Sequence, residues 1–375
     1  MRSLCKTSST GLNNNTLNGK GAALLWVRLL SAVALFALLG QANLWLDATS
    51  NILLATGYRL LLILTPLTLL LFGARALRVT LLCALAGLLL LALPAAHGVA
   101  AVAVLLFSYG IAVVGYIAKR DAAATPAGAA NNKIMLNLGS LLAGLLLLYP
   151  HWQPTFFYLA LALLLLPCLP AVWHHRPLAE ASPAPAVARR GQLKWALAGL
   201  MAGIKLFAVF SILPQAILAH QATLPGWYGA MIILNSAVVT LLQRPIMALI
   251  QRCGRRALWA VLALILAGLV VLALPGAFRV HTLPGALLWL GLLSLAECGL
   301  SYLDYCAAQE GALLVKELSV SAGAGFTVFA MRTLPTAASA GVLAATAIIA
   351  LLIWLWLYQR QHKEKYHALN NLYEK

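Results

Sequence analysis

Acidic residues are scarce in this chain. Nine Asp and Glu stand against 26 Lys and Arg among 375 residues, and charged residues of both signs make up only 9% of the sequence. A soluble globular domain is about a quarter charged and about half apolar. With 62% hydrophobic residues and a mean hydropathy of +0.90, that reading is excluded, because the excess apolar surface belongs in lipid. Large polar loops are missing too. The apparent non-cytoplasmic connections are as short as "PHWQP" and "GAFRVHTLPG", and His151, His220 and His281 have no acid beside them. This argues against a polytopic membrane enzyme such as a lipid-linked transferase, whose chemistry needs acids and histidines in sizeable loops. No phosphate-binding glycine loop is present, so a built-in ATPase is excluded. The six cysteines, at 5, 83, 168, 253, 298 and 306, have no metal-ligand spacing and lie in apolar or cytoplasmic stretches. Neither disulfides nor a metal centre is expected, and nothing implies a cofactor.

What is present is a series of long apolar runs. Twelve are read, at 23–43, 50–72, 79–96, 99–118, 131–149, 155–173, 195–216, 228–249, 257–275, 285–306, 319–338 and 341–359. Each is near the length that crosses ~30 Å of hydrocarbon as a helix. The fifth is weakened by "NNK" at its start. Strands of a membrane barrel would be ~10 residues long and alternating, so a β-barrel is excluded. The fold class expected is all-α integral membrane.

Twelve spans put both termini and the loops after even-numbered helices on one side. That side collects Arg75, Arg78, Lys119, Arg120, Lys194, Arg252, Lys316, Arg360 and other basic residues, while the opposite loops hold Arg279 alone. Positive loops stay cytoplasmic, so both termini are expected inside. The net charge of +17 is then spread over short cytoplasmic loops. Attraction to anionic lipid headgroups accounts for it, and no nucleic acid is expected as a partner. The first helix is read as retained, since "LLGQANLWLDATS" offers no convincing cleavage site. Trp152, Trp195, Trp227, Trp354 and Trp356 are read as interfacial anchors.

The segment 174–194, "HHRPLAEASPAPAVARRGQLK", has the Pro and Ala content of a linker. It divides the chain into a cytoplasmic tail (1–22), a six-helix bundle (23–173), the linker (174–194), a second bundle (195–359) and a basic tail (360–375). The halves also align. Placing "LLFSYGIAVVGYIAKRDAA" on "LSLAECGLSYLDYCAAQEGA" matches Gly110 with Gly299, Tyr116 with Tyr305 and Asp121 with Glu310 at a constant offset of 189 residues. Internal repeats of this kind mark secondary transporters.

On these features the chain resembles the major facilitator superfamily over nearly its whole length. The most specific local feature is "MALIQRCGRRALW" (247–259), similar to that superfamily's loop motif through Arg252, Gly254, Arg255 and Arg256. Met247 and Gln251 stand where the family has Gly and Asp. The first-half copy, "LLLFGARALRV", keeps only Arg75 and Arg78 as basic positions. The resemblance implies a gating latch at these four residues, weakened by the missing acid. Setting topology is the plainer role for the same basic residues.

Charges inside the bilayer are costly and usually face a cavity or each other. Arg59, Lys205, Glu297 and Arg332 are expected near the midplane. By resemblance they lie on helices able to face a central cavity, with Tyr58 and Asn137 beside them and a kink at Pro66. Arg28 and Arg244 are expected to snorkel to the cytoplasmic face. Glu297, the single midplane carboxylate, is expected to couple protons with Lys205 as counter-ion, although the same pair would also serve as a packing device. Asp304 and Glu310 are read as inner-end residues. Unpaired guanidinium forks suit carboxylates and phosphates. The expectation is therefore a monomeric, multi-pass secondary transporter in a bacterial inner membrane. Its cargo is a small anionic or zwitterionic solute such as a metal chelator or acidic antibiotic, moved by proton-coupled efflux. Uptake of the same solutes is the alternative, with a non-transporting sensor more remote.

Overall fold

The computed structural model describes residues 19–93, 97–149, 151–173, 175 and 185–373. The expected tail lies outside these residues up to position 18, as do positions 174 and 176–184 of the linker. Regular structure among the described residues is helical, without strands. The first half holds α1 (Gly19–Trp45), α2 (Ala48–Leu60), α3 (Thr65–Phe72), α4 (Ala76–Ala92), α5 (His97–Ala122), α6 (Pro126–Leu147), α7 (Pro154–Leu165) and α8 (Cys168–Trp173). The second half holds α9 (Pro185–Leu218), α10 (Tyr228–Arg252), α11 (Ala257–Leu272), α12 (Leu283–Cys298), α13 (Leu300–Gln309), α14 (Leu313–Thr333) and α15 (Thr336–Tyr373).

Eight helical stretches among the described residues are long and apolar enough to cross a membrane. One of them, Thr56–Ala92, covers most of both the second and the third expected spans. The expected fifth span forms α6 but is not among the eight. Pro154–Leu165 and Ala257–Leu272 are apolar but shorter. Large exposed leucines such as Leu70, Leu71 and Leu241 stud the outer helix faces. Surface of that kind needs a partner, and lipid supplies one. The last helix continues to Tyr373, so the expected basic tail after 359 is helical over most of its length.

The two halves of the chain share points of local geometry. Between α3 and α4 the chain turns through Gly73, at φ +47°, followed by a three-residue 3-10 turn, Gly73–Arg75. Between α10 and α11 it turns through Gly254, at φ +52°, followed by the 3-10 turn Gly254–Arg256. Both positions need a left-handed backbone, which glycine adopts without a steric penalty. Packing repeats as well. Gly139 of α6 lets α1 approach at Leu29 and Val33, and Gly199, Gly203 and Gly323 let α9 and α14 approach backbone to backbone. Small residues are how membrane helices come this close.

Three expected spans are interrupted among the described residues: the sixth, between α7 and α8, and two that bear on the site. After α2, residues Leu61–Leu64 tighten into a 3-10 turn ahead of Pro66, which opens α3. This is the expected kink; proline cannot donate to the preceding turn. The tenth expected span is interrupted at Gly299, between α12 and α13. There the fully buried Gln243 of α10 donates its amide to the Cys298 carbonyl at 3.0 Å and to Ser301 Oγ at 2.8 Å. A side chain thus satisfies a carbonyl that the interrupted ladder leaves open.

Candidate functional site

The broken helices flank a cavity of about 120 Å³ between the two halves of the chain. That is well above the roughly 10–15 Å³ that holds one water. From the first half, Arg28, Tyr58, Arg59, Lys119 and Lys133 line it; from the second half, Asp304, Lys316 and Glu317.

The carboxylates here are held by lysines, and several pairs cross between the halves. Lys119 of α5 reaches Asp304 Oδ2 at 2.9 Å and Glu317 Oε1 at 2.7 Å. Lys316, only 2% exposed, lies 2.5 Å from Asp304 Oδ1 and 3.4 Å from Glu317. Two amines and two carboxylates thus form one neutral, buried knot. Removing any member would strand a charge. Lys133 of α6 meets Glu297 of α12 at 2.5 Å. Arg244 adds a hydrogen bond from Nε to Asn131 Oδ1 at 3.0 Å, and Gln309 donates to the Ala124 carbonyl at 3.2 Å. The ion pairs of Lys119 and Lys133 between the halves lie toward the end that carries Lys119, Asp121 and Glu310, called here the basic end.

Several expectations need correction. Lys133, not Lys205, is the ion-pair partner of Glu297. The Lys205 amine, 1% exposed, donates instead to the Leu293 carbonyl at 3.0 Å and does not line the cavity. A lysine stem turned along α12 satisfies its ammonium on backbone before it reaches the carboxylate. Glu297 also receives the Asn235 amide, whose oxygen accepts from Ser294 Oγ at 2.6 Å. Asn137 is buried, but it donates to the Lys133 carbonyl one turn back at 2.9 Å and lies off the cavity wall. Arg332 sits exposed in the last turn of α14, outside the cavity. Arg28 lines the cavity instead of snorkelling away. Trp195 and Trp354 are buried against each other, 6.1 Å between ring centroids, with the Trp195 Nε1 hydrogen on Glu310. They are packing residues, not interfacial anchors.

Tyr58 and Arg59 line the cavity, with Arg59 Nε donating to the Tyr58 hydroxyl at 2.8 Å and its guanidinium 5.6 Å from the Phe207 ring of α9. Asp304 pairs with Lys119 and Lys316, and Glu310 pairs with Lys194 at 2.7 Å. In the loop after α10, Gly254 makes the turn. Arg252 and Arg256 are exposed and make no ion pair among the described residues. The Arg255 side chain lies outside them.

The arrangement leaves two cations over. Neither Arg28 nor Arg59 is paired with a carboxylate among the described residues, whereas Lys119, Lys133 and Lys316 all are. Sequence reasoning missed the roles of Lys119, Lys133, Lys316 and Glu317. The signal for Lys133 was on view: "NNK" is an odd way to open an apolar helix, and such residues are conspicuous where charge is expensive.

The fold matches solved structures. The human organic anion transporter MFSD10 superposes with a TM-score of 0.62 at 15% identity, covering 89% of this chain and 98% of that one. The major facilitator superfamily transporter FucP, in its outward conformation, gives 0.65 at 13%, covering 88% and 98%. A bacterial homologue of the iron transporter ferroportin, in an outward-facing state, gives 0.64 at 16%, covering 92% and 99%. No family model and no curated protein matches the sequence. The chain has the fold of the major facilitator superfamily.

Proposed function

We propose that the protein is a secondary active transporter of a small anionic or zwitterionic solute, working by alternating access across twelve spans in two six-helix bundles. The observation that carries this reading is the pair of uncompensated guanidinium groups, Arg28 and Arg59, on the wall of a cavity between the halves. Cavity-lining cations without carboxylates call for an anion from outside, and guanidinium forks fit carboxylate and phosphate. The likeness to an organic anion transporter carries the fold at 15% identity and adds nothing on cargo.

In this reading the basic end is cytoplasmic, and the ion pairs around Lys119 and Lys133 close that side. Glu297 is the proton site and Lys133 its counter-ion. Lys133 lines the cavity, and Glu297 is met behind it by Lys133 and Asn235 with Lys205 nearby. An anion that takes Lys133 strips Glu297 of its main partner, and a carboxylate left so in an apolar site is neutralised by a proton. Anion and proton then load together, which favours symport. Proton-coupled efflux is the second reading, supported by the exporter-like loop at Arg252, Gly254, Arg255 and Arg256.

The test is an untargeted mass-spectrometric comparison of cell extract and spent medium. The strains are a deletion, its complement and the complement carrying Glu297→Gln. A solute depleted from cells of the deletion and left in its medium establishes uptake. Accumulation inside the deletion establishes efflux, and identical profiles under several growth conditions would refute transport.

A further inference from the structure

We infer that Arg28 and Arg59, with the Tyr58 hydroxyl, form an oxyanion-binding subsite, and that Gly115 is the residue that positions Arg28 for it. The inference rests on the transporter reading and narrows it to a carboxylate- or phosphate-bearing solute.

The argument starts from the glycines. A side chain at Gly87, Gly110, Gly139, Gly199, Gly203 or Gly323 would collide with the backbone of a neighbouring helix, so those residues serve close helix packing. Gly115 differs. A Cβ there would meet only the guanidinium of Arg28, at Nη1 and then Cζ, and no backbone. Among the described glycines it is the one whose missing side chain makes room for a charged group alone. The slot in α5 therefore holds the tip of an arginine that comes from α1.

That arginine is not spent on the protein. Its buried Nε has no hydrogen-bond partner, and the guanidinium forms no ion pair among the described residues. The charged groups around it are Glu317, Arg59 and Asp304, and both carboxylates are already taken up by Lys119 and Lys316. Arg59 stands on the same wall with its Nε fixed on Tyr58, leaving its terminal nitrogens for another acceptor. A buried guanidinium donor without an acceptor costs free energy that an oxyanion would recover. Two forks and a phenol hydroxyl make a set of donors, which selects for anionic oxygen.

The test uses the purified full-length protein in nanodiscs, titrated with inorganic phosphate, acetate and citrate at constant ionic strength. Thermal melting and tryptophan fluorescence are the readouts, with potassium chloride as the control. Wild type is expected to be stabilised by at least one of the three oxyanions and not by chloride. Preference for phosphate or for the carboxylates tells the two sources apart. Arg28→Gln and Gly115→Ala are each expected to weaken that binding roughly tenfold, as loss of a charge-assisted hydrogen bond does. Alanine is the better helix former, so Gly115→Ala carries no helix penalty to confuse the result. The double variant should bind no more weakly than Arg28→Gln alone, because Gly115 acts only through Arg28. Wild-type binding in Gly115→Ala, or additive losses in the double variant, would overturn the positioning role. A wild type that binds none of the three anions would overturn the subsite; the comparison of cell extract and medium would still decide transport by itself.

Discussion

The two halves share glycine turns and close helix packing but not a charge. In the first half, the described acids are Asp47, which caps α2 through the Ser50 amide at 3.0 Å, and Asp121, which pairs with Arg120 and His175. Neither lines the cavity. The second half contributes Glu297, Asp304, Glu310 and Glu317, and each of the four has a lysine partner. The wall of the first half is thus cationic, while the second half supplies carboxylates that the first half's lysines cross over to meet. The two halves are electrostatically complementary at one end, with surplus positive charge left in the cavity. Charge complementarity fixes register between packed bodies, and a buried pair is strongly destabilising to break from one side only.

Breaking that complementarity at its centre should have the largest effect. Lys119→Ala leaves Asp304 and Glu317 to share Lys316, and stranding a buried charge costs about 3–5 kcal/mol. Thermal melting should fall accordingly. Cysteines placed near Gln309 should become reactive to a membrane-impermeant thiol reagent from the basic side. The combination Lys119→Ala with Glu317→Gln restores neutrality and should recover most of the loss. Equal melting of the single and double variants would show that the knot is not what joins the halves.

Glu297→Gln removes one charge of the second inter-half pair while keeping the shape of the side chain. Gradient-driven transport should drop at least tenfold, while solute binding persists. The fall comes from the missing proton site, and it contrasts with Lys133→Ala, which should impair both. Unchanged driven transport in Glu297→Gln would sink the coupling role. The exchange variant Lys133→Glu with Glu297→Lys should fold like wild type but not couple.

A smaller effect compares the halves in geometry instead of charge. Gly73→Ala and Gly254→Ala each force a residue with a Cβ into positive φ, at about 1–2 kcal/mol. Neither glycine has an atom within 4 Å of where that Cβ would stand, so strain alone sets the loss. The two variants should therefore lose the same amount in thermal melting. A clearly larger loss at Gly254 would give the second-half loop a latching role beyond its turn.

How much of this the sequence carried depends on the range of the interaction. The helical, apolar character of the chain and the kink at Pro66 are local, and both were legible. Tyr58 and Arg59, expected by resemblance on a helix able to face a cavity, lie in the last turn of α2 on the cavity wall. The pairing of Glu297 was not legible. Lys205 and Lys133 are both lysines on helices near the centre, and only the direction of each stem decides which ammonium reaches the carboxylate. Depth along a span also misled. Arg332 was placed at the midplane by counting from expected ends at 319 and 338, but α14 begins at Leu313, so its last turn falls on Arg332. The charged pair Lys316 and Glu317 was assigned to a loop for the same reason and lies within the helix.

That correction sets up the smallest effect. Arg332 is exposed in the last turn of α14, away from the cavity that Arg28 and Arg59 line. A cation at a helix C-terminus gains only about 0.3–1 kcal/mol from the carbonyl ends exposed there. Arg332→Gln should therefore leave solute affinity within about twofold of wild type and cost at most that much stability. Arg59→Gln, one of two charges lost from a buried wall, should weaken anion binding by roughly tenfold or more. The two arginines look alike in the sequence, each in an apolar stretch without an acid beside it, so the ratio of their effects tests the geometry directly. If Arg332→Gln proved as damaging to binding as Arg59→Gln, the solute would have to contact the outer end of α14. The site would then extend well beyond the cavity between the halves.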